Sequence, residues 1–302
     1  MGDYLNPSSP RYEKLKKSKV FVDKTDIFEI LNENLGKEKS FFCLSRPRCF
    51  GKSVTAQMIC SYYARCQDSS SLFDNLKIAS FDDYKKHLNQ YDVIFINMTD
   101  EFNDSSCDVN KMIASITKSV VGELKEAYPQ IDFKSPDILH KTLKEVFSQS
   151  KVPFVIVIDE LDCIMREKKE DPDSLKQYLE WLKAIFKDKP YVGLAYMTGI
   201  LPIKKYGSHS ALNMFAEYSM TEPLNLGQYI GFTENEVKEI CKQHDVAFNQ
   251  MQQWYDGYSF KDVPHIYNPN SVVNAATYKK YISYRTKTET FESLQEYIDM
   301  NM

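Results

Sequence analysis

The sequence lacks any long apolar run. A helix that spans a bilayer needs about 20 consecutive apolar residues, and the longest runs here are 41–44 and 154–158. The first 19 residues are polar, so they predict a polar arm rather than a secretory signal. Gly2 is followed by Asn6, where a myristoylation signal has Ser or Thr. These absences argue against a membrane protein and predict a cytoplasmic one.

The sequence also lacks an excess of positive charge. Its 38 Lys and Arg residues are outnumbered by 42 Asp and Glu residues, which gives a formal net charge of −4 at pH 7. No overall basic field therefore indicates nucleic-acid binding. One local run, 278–287, interleaves basic and aromatic residues, which is a weak indication of a nucleic-acid partner. An amphipathic helix with a solvated basic face is the alternative that we favour.

The seven cysteines form no CxxC pair and are not accompanied by a cluster of histidines. This pattern argues against a zinc site, because structural zinc sites combine such ligands at short spacings. An odd number of scattered thiols also suits a reducing compartment better than a disulfide framework.

Four short apolar runs alternate with helical patterns over the first two thirds of the chain. The runs are rich in Val, Ile, Phe and Tyr and are apolar on both faces, as in buried parallel strands: 40–45, 92–98, 153–158 and 191–198. The helical patterns between them are 52–66, 109–128, 137–150 and 173–188. This alternation predicts an α/β fold in which helices flank a parallel sheet.

The pattern changes after about residue 222. A capping sequence at 233–236 opens a helical pattern, and a second helical pattern follows at 247–254. Asn268 is placed to cap a further helix. We predict one domain over 1–222 and a small, mainly helical C-terminal module over 223–302.

A Gly-Lys-Ser sequence follows the first predicted strand and opens the first long helical pattern. A buried strand, a tight loop and a helix in this order are what a phosphate-binding P-loop requires. The backbone amides of such a loop bind phosphate, its lysine reaches the β- and γ-phosphates, and its hydroxyl binds Mg²⁺. The sequence therefore predicts a nucleotide site formed by Arg46, Pro47, Arg48, Cys49, Phe50, Gly51, Lys52 and Ser53.

One position departs from the usual P-loop pattern, GxxxxGK[ST]. Arg46 stands where the pattern has its first glycine. Arg46 and Arg48 are predicted either to add positive charge to the phosphate cradle or to be solvated, and the sequence does not decide between these alternatives.

Polar residues end the third and fourth predicted strands. Asp159 and Glu160 follow the third strand, and Thr198 ends the fourth. In P-loop enzymes a carboxylate at such a strand end binds Mg²⁺ through water, and an adjacent glutamate can polarise the attacking water. We assign Asp159 and Ser53 to the metal, and Lys52, Glu160 and Thr198 to catalysis. The combination also predicts an additional strand between the two that carry the loop and Asp159.

Residues 45–53, SRPRCFGKS, resemble the RPRRFGK[ST] phosphate loop of the predicted AAA-ATPase-like family of bacteria. Further matching pieces lie in the same order over almost the whole chain, at 21–25, 72–78, 158–162, 197–203, 231–237, 254–258 and 267–272. The resemblance implies an ATPase domain, a small helical module of which a winged helix is one form, and an adenine site beside 20–25. Cys49 departs from the family, which often has Arg there. Many members continue into a restriction-endonuclease-like domain, which we expect to be absent from these 302 residues.

Two functions follow from these features. The first is a Mg²⁺-dependent ATPase coupled to an unknown partner, with oligomers as an open possibility. Its arginine finger is not identified, and Arg166, Arg285 or an arginine of a neighbouring subunit are the candidates. The alternative is a nucleotide-gated interaction or DNA-binding protein that hydrolyses ATP negligibly and holds a protein or nucleic acid through its C-terminal module. Lys52 and Glu160 are both present, which favours the enzyme.

Overall fold

The computed structural model describes residues 2–202, 214–220, 222–258 and 263–284. Its strands are β1 Phe41–Ser45, β2 Val93–Asn97, β3 Phe154–Asp159, β4 Val192–Gly199, β5 Ala216–Tyr218, β6 Phe232–Thr233, β7 Asp256–Tyr258 and β8 Ile266–Tyr267. Its α-helices are α1 Pro10–Lys16, α2 Ile27–Asn34, α3 Lys52–Tyr63, α4 Ser70–Phe73, α5 Tyr84–His87, α6 Met98–Asp104, α7 Val109–Ala127, α8 Leu139–Ser150, α9 Cys163–Glu167, α10 Pro172–Phe186, α11 Glu234–His244, α12 Phe248–Tyr255 and α13 Pro269–Tyr278. Short 3₁₀ turns occupy Lys77–Ser80 and Leu224–Leu226.

The central sheet has five parallel strands in the order β2-β3-β4-β1-β5. Strand β4 lies between β1, which leads into the phosphate loop, and β3, which ends in Asp159. This confirms the predicted additional strand. The carboxyl ends of parallel strands meet at one edge of a sheet, so the loop and the polar strand ends are brought to the same edge.

Helices cover both faces of this sheet. Alternate residues of a strand point to opposite faces, and the strand residues divide accordingly between two hydrophobic clusters. Ile156 and Ile158 pack with α6 to α10 on one face, whereas Val155 and Val157 pack with α2 and α3 on the other. The predicted α/β fold with flanking helices is thus confirmed.

The four strands and four long helical patterns predicted from sequence lie where expected, with ends that differ by at most three residues. Strand β5 is stabilised by its pairing with β1. It was not predicted, because three residues are too few to show a hydrophobic period. The helices α4, α5, α6 and α9 were missed for the same reason. None of the described helices is both long and apolar enough to cross a membrane.

The N-terminal residues are docked on the sheet, which corrects the prediction of a polar arm. The Glu123 carboxylate accepts hydrogen bonds from the backbone N–H groups of Tyr4 and Leu5, at 3.1 and 2.6 Å. Leu5 forms an antiparallel bridge with Ile94, and Tyr12 of α1 is buried. A single buried side chain in a polar helix produces no apolar period, so the sequence did not reveal this docking.

The C-terminal part consists of α11, α12 and α13 with a small antiparallel sheet in the order β6-β8-β7. Helix α11 begins with the predicted capping box between Thr233 and Glu236, and the Asn268 side chain caps α13. Val20 lies in the same hydrophobic cluster as these helices. The mainly helical character is confirmed, while the boundary at 222 and the winged-helix form stay predictions.

Candidate functional site

The loop between β1 and α3 has the backbone geometry of a phosphate cradle. Gly51 is the N-cap residue of α3 and has φ +92°, which is the left-handed region. Side chains disfavour this region because their Cβ approaches a carbonyl oxygen. A glycine there lets the chain turn sharply into the helix, so the first amides of α3 are free to bind an anion.

Replacing Gly51 by Ala should therefore destabilise the protein and weaken phosphate binding. An added Cβ would meet no atom within 4 Å, so the effect comes from the positive φ and not from a clash. We expect the free energy of unfolding to fall by about 1–2 kcal/mol. Urea denaturation measures this change, and an unchanged midpoint would contradict the strained geometry. Gly36 has a similar φ of +74° but lies outside the loop. Gly36→Ala is therefore the control for a loss of stability that does not involve the loop.

Lys52 lies inside this loop and is almost fully buried, with 5% of its surface exposed. Its Nζ donates hydrogen bonds to the backbone carbonyls of Arg46 and Pro47, at 3.0 and 3.2 Å. Burial lowers the pKa of Lys52, while the nearby carboxylates of Glu160 and Asp159 act in the opposite direction. The loop and the acidic strand end are thus close enough to interact electrostatically.

Arg46 is fully buried, which excludes the solvated alternative for this side chain. Its Nη1 donates to the carbonyls of Ser45 and Tyr218, at 2.9 and 2.8 Å, and its backbone N–H donates to Gly199. The guanidinium thus ties the end of β1 to the end of β5. Arg48 and Cys49, by contrast, are exposed, and Cys49 has φ +67°.

Asp159 and Thr198 are in direct contact at the carboxyl edge of the sheet. The Thr198 hydroxyl donates a hydrogen bond to Asp159 Oδ1, and both side chains are buried. Thr198 also lies beside Leu44 in the pairing of β1 with β4, and Leu44 is two residues before the start of the loop at Arg46. The carboxyl edge of the sheet, next to the loop, therefore brings together three predicted residues: Lys52, Asp159 and Thr198.

Glu160 follows β3 in a left-handed conformation, with φ +55°. Its Oε2 accepts a hydrogen bond from Arg166 Nη2 at 3.1 Å, and 23% of the side chain is exposed. Burial raises the pKa of Glu160, and the charge of Lys52 opposes this shift. A partly exposed carboxylate of raised basicity beside a phosphate cradle is suited to accept a proton from water.

The donor set suits Mg²⁺, which prefers hard oxygen ligands and retains several waters. Ser53 is the second residue of α3, next to the loop, and it is half-buried. Asp159 Oδ1 accepts one hydrogen bond from the Thr198 hydroxyl and another from the backbone N–H of Glu160, the latter at 3.2 Å. Among the residues that the structure describes, none forms a hydrogen bond with the other carboxylate oxygen of Asp159, Oδ2. Over the described ranges, no cluster of three or more His, Cys, Asp or Glu side chains forms an all-protein metal site.

An apolar cavity of about 290 Å³ opens beside the loop. This volume is at the lower end of the range for ligand pockets, about 300–1,000 Å³. Its walls come from the N-terminal segment, the loop, α3 and the C-terminal part, and they include Val20, Phe21, Val22, Gly51, Val54, Thr55, Met58 and Phe232. Residues 20–22 thus lie next to the phosphate cradle, where the resemblance implied an adenine site.

The sequence model of the predicted AAA-ATPase family matches residues 10–208. The chain belongs to this family. The match covers the phosphate loop, the acidic strand end and Thr198, so the sequence-based recognition is confirmed. No curated protein matches the chain.

Two solved structures are similar to this AAA-ATPase family member. The Aeropyrum pernix ORC2 protein, solved as ADPNP-ADP complexes, is 10% identical, with 91% of this chain and 67% of that chain covered and a TM-score of 0.41. Domain III of the Thermotoga maritima replication initiation protein DnaA is 11% identical, with 97% and 99% covered and a TM-score of 0.34. These TM-scores are low, so the likenesses carry no conclusion about function.

Sequence reasoning missed how the loop contacts the C-terminal part. The Phe50 ring packs edge-on against Tyr258 of β7, with ring centroids 5.0 Å apart. Asn268 Nδ2 donates to the backbone carbonyl of Arg48 at 3.3 Å. Phe50 was the residue in the sequence that could have indicated this contact. It is an aromatic residue in a polar loop, and when it is buried, it needs an apolar partner.

Proposed function

We propose that this protein binds ATP with Mg²⁺ and hydrolyses it to ADP and phosphate. Membership in the predicted AAA-ATPase family supports nucleotide binding. The observation that carries the proposal is that Asp159, Glu160 and Thr198 lie at the sheet edge beside Lys52 and the left-handed Gly51. A phosphate cradle, a metal-binding carboxylate and a base for water are the parts that phosphoryl transfer to water requires.

Each residue has a defined role in this proposal. The loop Arg46–Ser53 binds the phosphates through its amides, and Lys52 neutralises the β- and γ-phosphates. Ser53 and Asp159, the latter through water, hold Mg²⁺, which would neutralise charge on the phosphate oxygens when bound. Glu160 accepts a proton from a water molecule while the oxygen of that water attacks the γ-phosphorus. The bond between the γ-phosphorus and the β–γ bridging oxygen breaks, which releases ADP. Thr198 contacts the γ-phosphate or the water.

The apolar cavity beside Gly51 is proposed to hold the adenine base. Aromatic bases bind in apolar clefts next to a few polar groups, and this cavity opens directly from the phosphate loop. The C-terminal part contributes Phe232 to its wall and contacts Phe50 and Arg48. We therefore propose residues 223–302 as the module that couples the nucleotide to a protein or nucleic-acid partner.

Filling this cavity should weaken ATP binding but not binding of phosphate alone. Val54 is partly exposed on α3 and lines the cavity, so Val54→Trp would place an indole ring in it. We expect the Kd for ATP to rise at least about 10-fold, which is 1.4 kcal/mol. The Kd for tripolyphosphate, which has no base, should stay at the wild-type value. Equal losses for the two ligands would place the base elsewhere.

The test of the proposed function is phosphate release from the purified full chain with ATP and Mg²⁺. Release that stops when EDTA removes Mg²⁺ supports the proposal. ATP binding without phosphate release, with or without added DNA, would favour the nucleotide-gated alternative instead. Failure to bind ATP at all would refute both functions.

A further inference from the structure

A chain of charged contacts connects the exit of β4 to Glu160. The Asp162 carboxylate is fully buried and accepts hydrogen bonds from the backbone N–H groups of Ile200 and Leu201, both at 3.0 Å. The same carboxylate binds Arg166 Nε at 3.0 Å. Arg166 in turn donates from Nη2 to Glu160 Oε2 at 3.1 Å. Three steps thus connect the segment after Thr198 to the carboxylate after β3.

Asp162 and the end of β4 are in close contact. A Cβ added to Gly199 would come within 2.7 Å of Asp162 Oδ1, so this approach depends on a residue without a side chain. Asp162 is fixed by two backbone amides and a guanidinium, which are strong, charge-assisted partners for a buried carboxylate. Arg166 is therefore held at a defined place relative to Thr198.

Glu160 depends on Arg166 for its orientation. A glutamate has several rotatable bonds, and one that is partly exposed samples many rotamers unless a partner holds it. Arg166 is the only described residue whose side chain forms a hydrogen bond with the Glu160 carboxylate, and only 15% of the Arg166 side chain is exposed. The Arg166 guanidinium donates its hydrogen bond to Glu160 Oε2, so Glu160 Oε1 is the oxygen that can accept a proton.

We propose that Arg166 is a positioning residue, which holds the Glu160 carboxylate toward the attacking water of the ATPase reaction. This inference rests on the proposed hydrolysis and adds a residue to it. It also gives Arg166 a role different from the arginine finger considered from sequence, since its guanidinium is engaged by two carboxylates. The other candidate, Arg285, lies outside the described residues.

The contrary possibility is a latch, in which Arg166 withholds Glu160 from water and must release it. The two roles predict opposite changes on removal of the guanidinium. The anchoring of Arg166 through Asp162 to two backbone amides favours a permanent support over a part that moves.

The test is steady-state phosphate release by the full-length Arg166→Ala variant. We expect kcat to fall about 10- to 100-fold, because a small misplacement of a reacting group costs that much. The KM and the Kd for ATP should change by less than about twofold, since Arg166 does not touch the phosphate loop. Arg166→Lys, which retains one charged donor, should recover part of the lost kcat.

A matched control separates this effect from the general loss of an ion pair. Arg65→Ala breaks a pair of similar geometry, Arg65 Nε to Asp92 Oδ1 at 2.8 Å. Asp92 precedes β2 and so lies at the opposite edge of the sheet from Glu160. We expect this variant to retain the wild-type kcat. Should Arg166→Ala fail to fold, Arg166→Gln keeps volume and a donor for Asp162 and is measured in the same way.

A second measurement asks whether Arg166 acts through Glu160. In the Glu160→Gln background, adding Arg166→Ala should change the residual single-turnover rate by less than about twofold, because coupled residues are not additive. A full additional loss in that background would overturn the proposal, as would an unchanged or raised kcat in the single variant. Absence of phosphate release from the wild-type protein would refute the proposed hydrolysis itself, which is a different result.

Discussion

The Lys52→Ala variant should lose most of its affinity for ATP. The lysine ammonium lies within the loop and faces a place that also holds Asp159, Glu160 and Asp162. Without it, the triphosphate would meet these carboxylates with no lysine charge beside it, because the nearby Arg166 is already paired with Glu160 and Asp162. Loss of a buried charged partner costs about 2–5 kcal/mol, which corresponds to a Kd that rises by about 30-fold to several thousand-fold.

Isothermal titration calorimetry with ATP and Mg²⁺ measures this loss, and thermal unfolding provides an independent readout. Wild-type protein should gain thermal stability with increasing ATP, because a ligand that binds only the native state stabilises it. The variant should gain much less thermal stability than the wild type at the same ATP concentrations. Lys85→Ala is the control, because Lys85 forms an exposed ion pair with Asp74 and neither residue belongs to the loop. A wild-type affinity in Lys52→Ala would show that phosphate is bound elsewhere.

Glu160→Gln should retain ATP binding and lose hydrolysis. Glutamine has the same shape, and its carbonyl oxygen can accept the hydrogen bond that Arg166 donates to Glu160. It cannot take a proton from water, however, so the general-base contribution is lost. That contribution is about 10²–10⁴-fold in rate, and we expect kcat to fall by this factor.

Single-turnover phosphate release at saturating ATP measures this effect, with the Kd for ATP determined in parallel. Glu167→Gln is the matched control, because Glu167 lies on the same short helix as Arg166 and is exposed. A wild-type rate in Glu160→Gln would remove this residue from the mechanism. A Kd that rises with the loss of rate would show a binding role instead.

Much of the candidate site was predictable because it is encoded by neighbouring residues. A strand, a tight turn and a helix in sequence determine where the loop amides point, so Gly51, Lys52 and Ser53 could be assigned locally. Asp159 and Thr198 could be predicted because they stand at the carboxyl ends of buried strands. Their direct hydrogen bond was not predicted, because it depends on how two side chains 39 positions apart in sequence pack against each other at the sheet edge.

The sequence alone determined the fold class, the order of strand, tight loop and helix around Gly51, and which acidic and polar residues stand at the strand ends. Each of these follows from patterns within a few residues, namely continuous apolar runs, helix capping and the Gly-Lys-Ser turn. Only the tertiary structure decided that Arg46 is buried against β5, that Phe50 packs on Tyr258 and that Arg166 holds Glu160. These contacts depend on how the elements pack together, and the packing energy of a whole core does not appear in any local pattern.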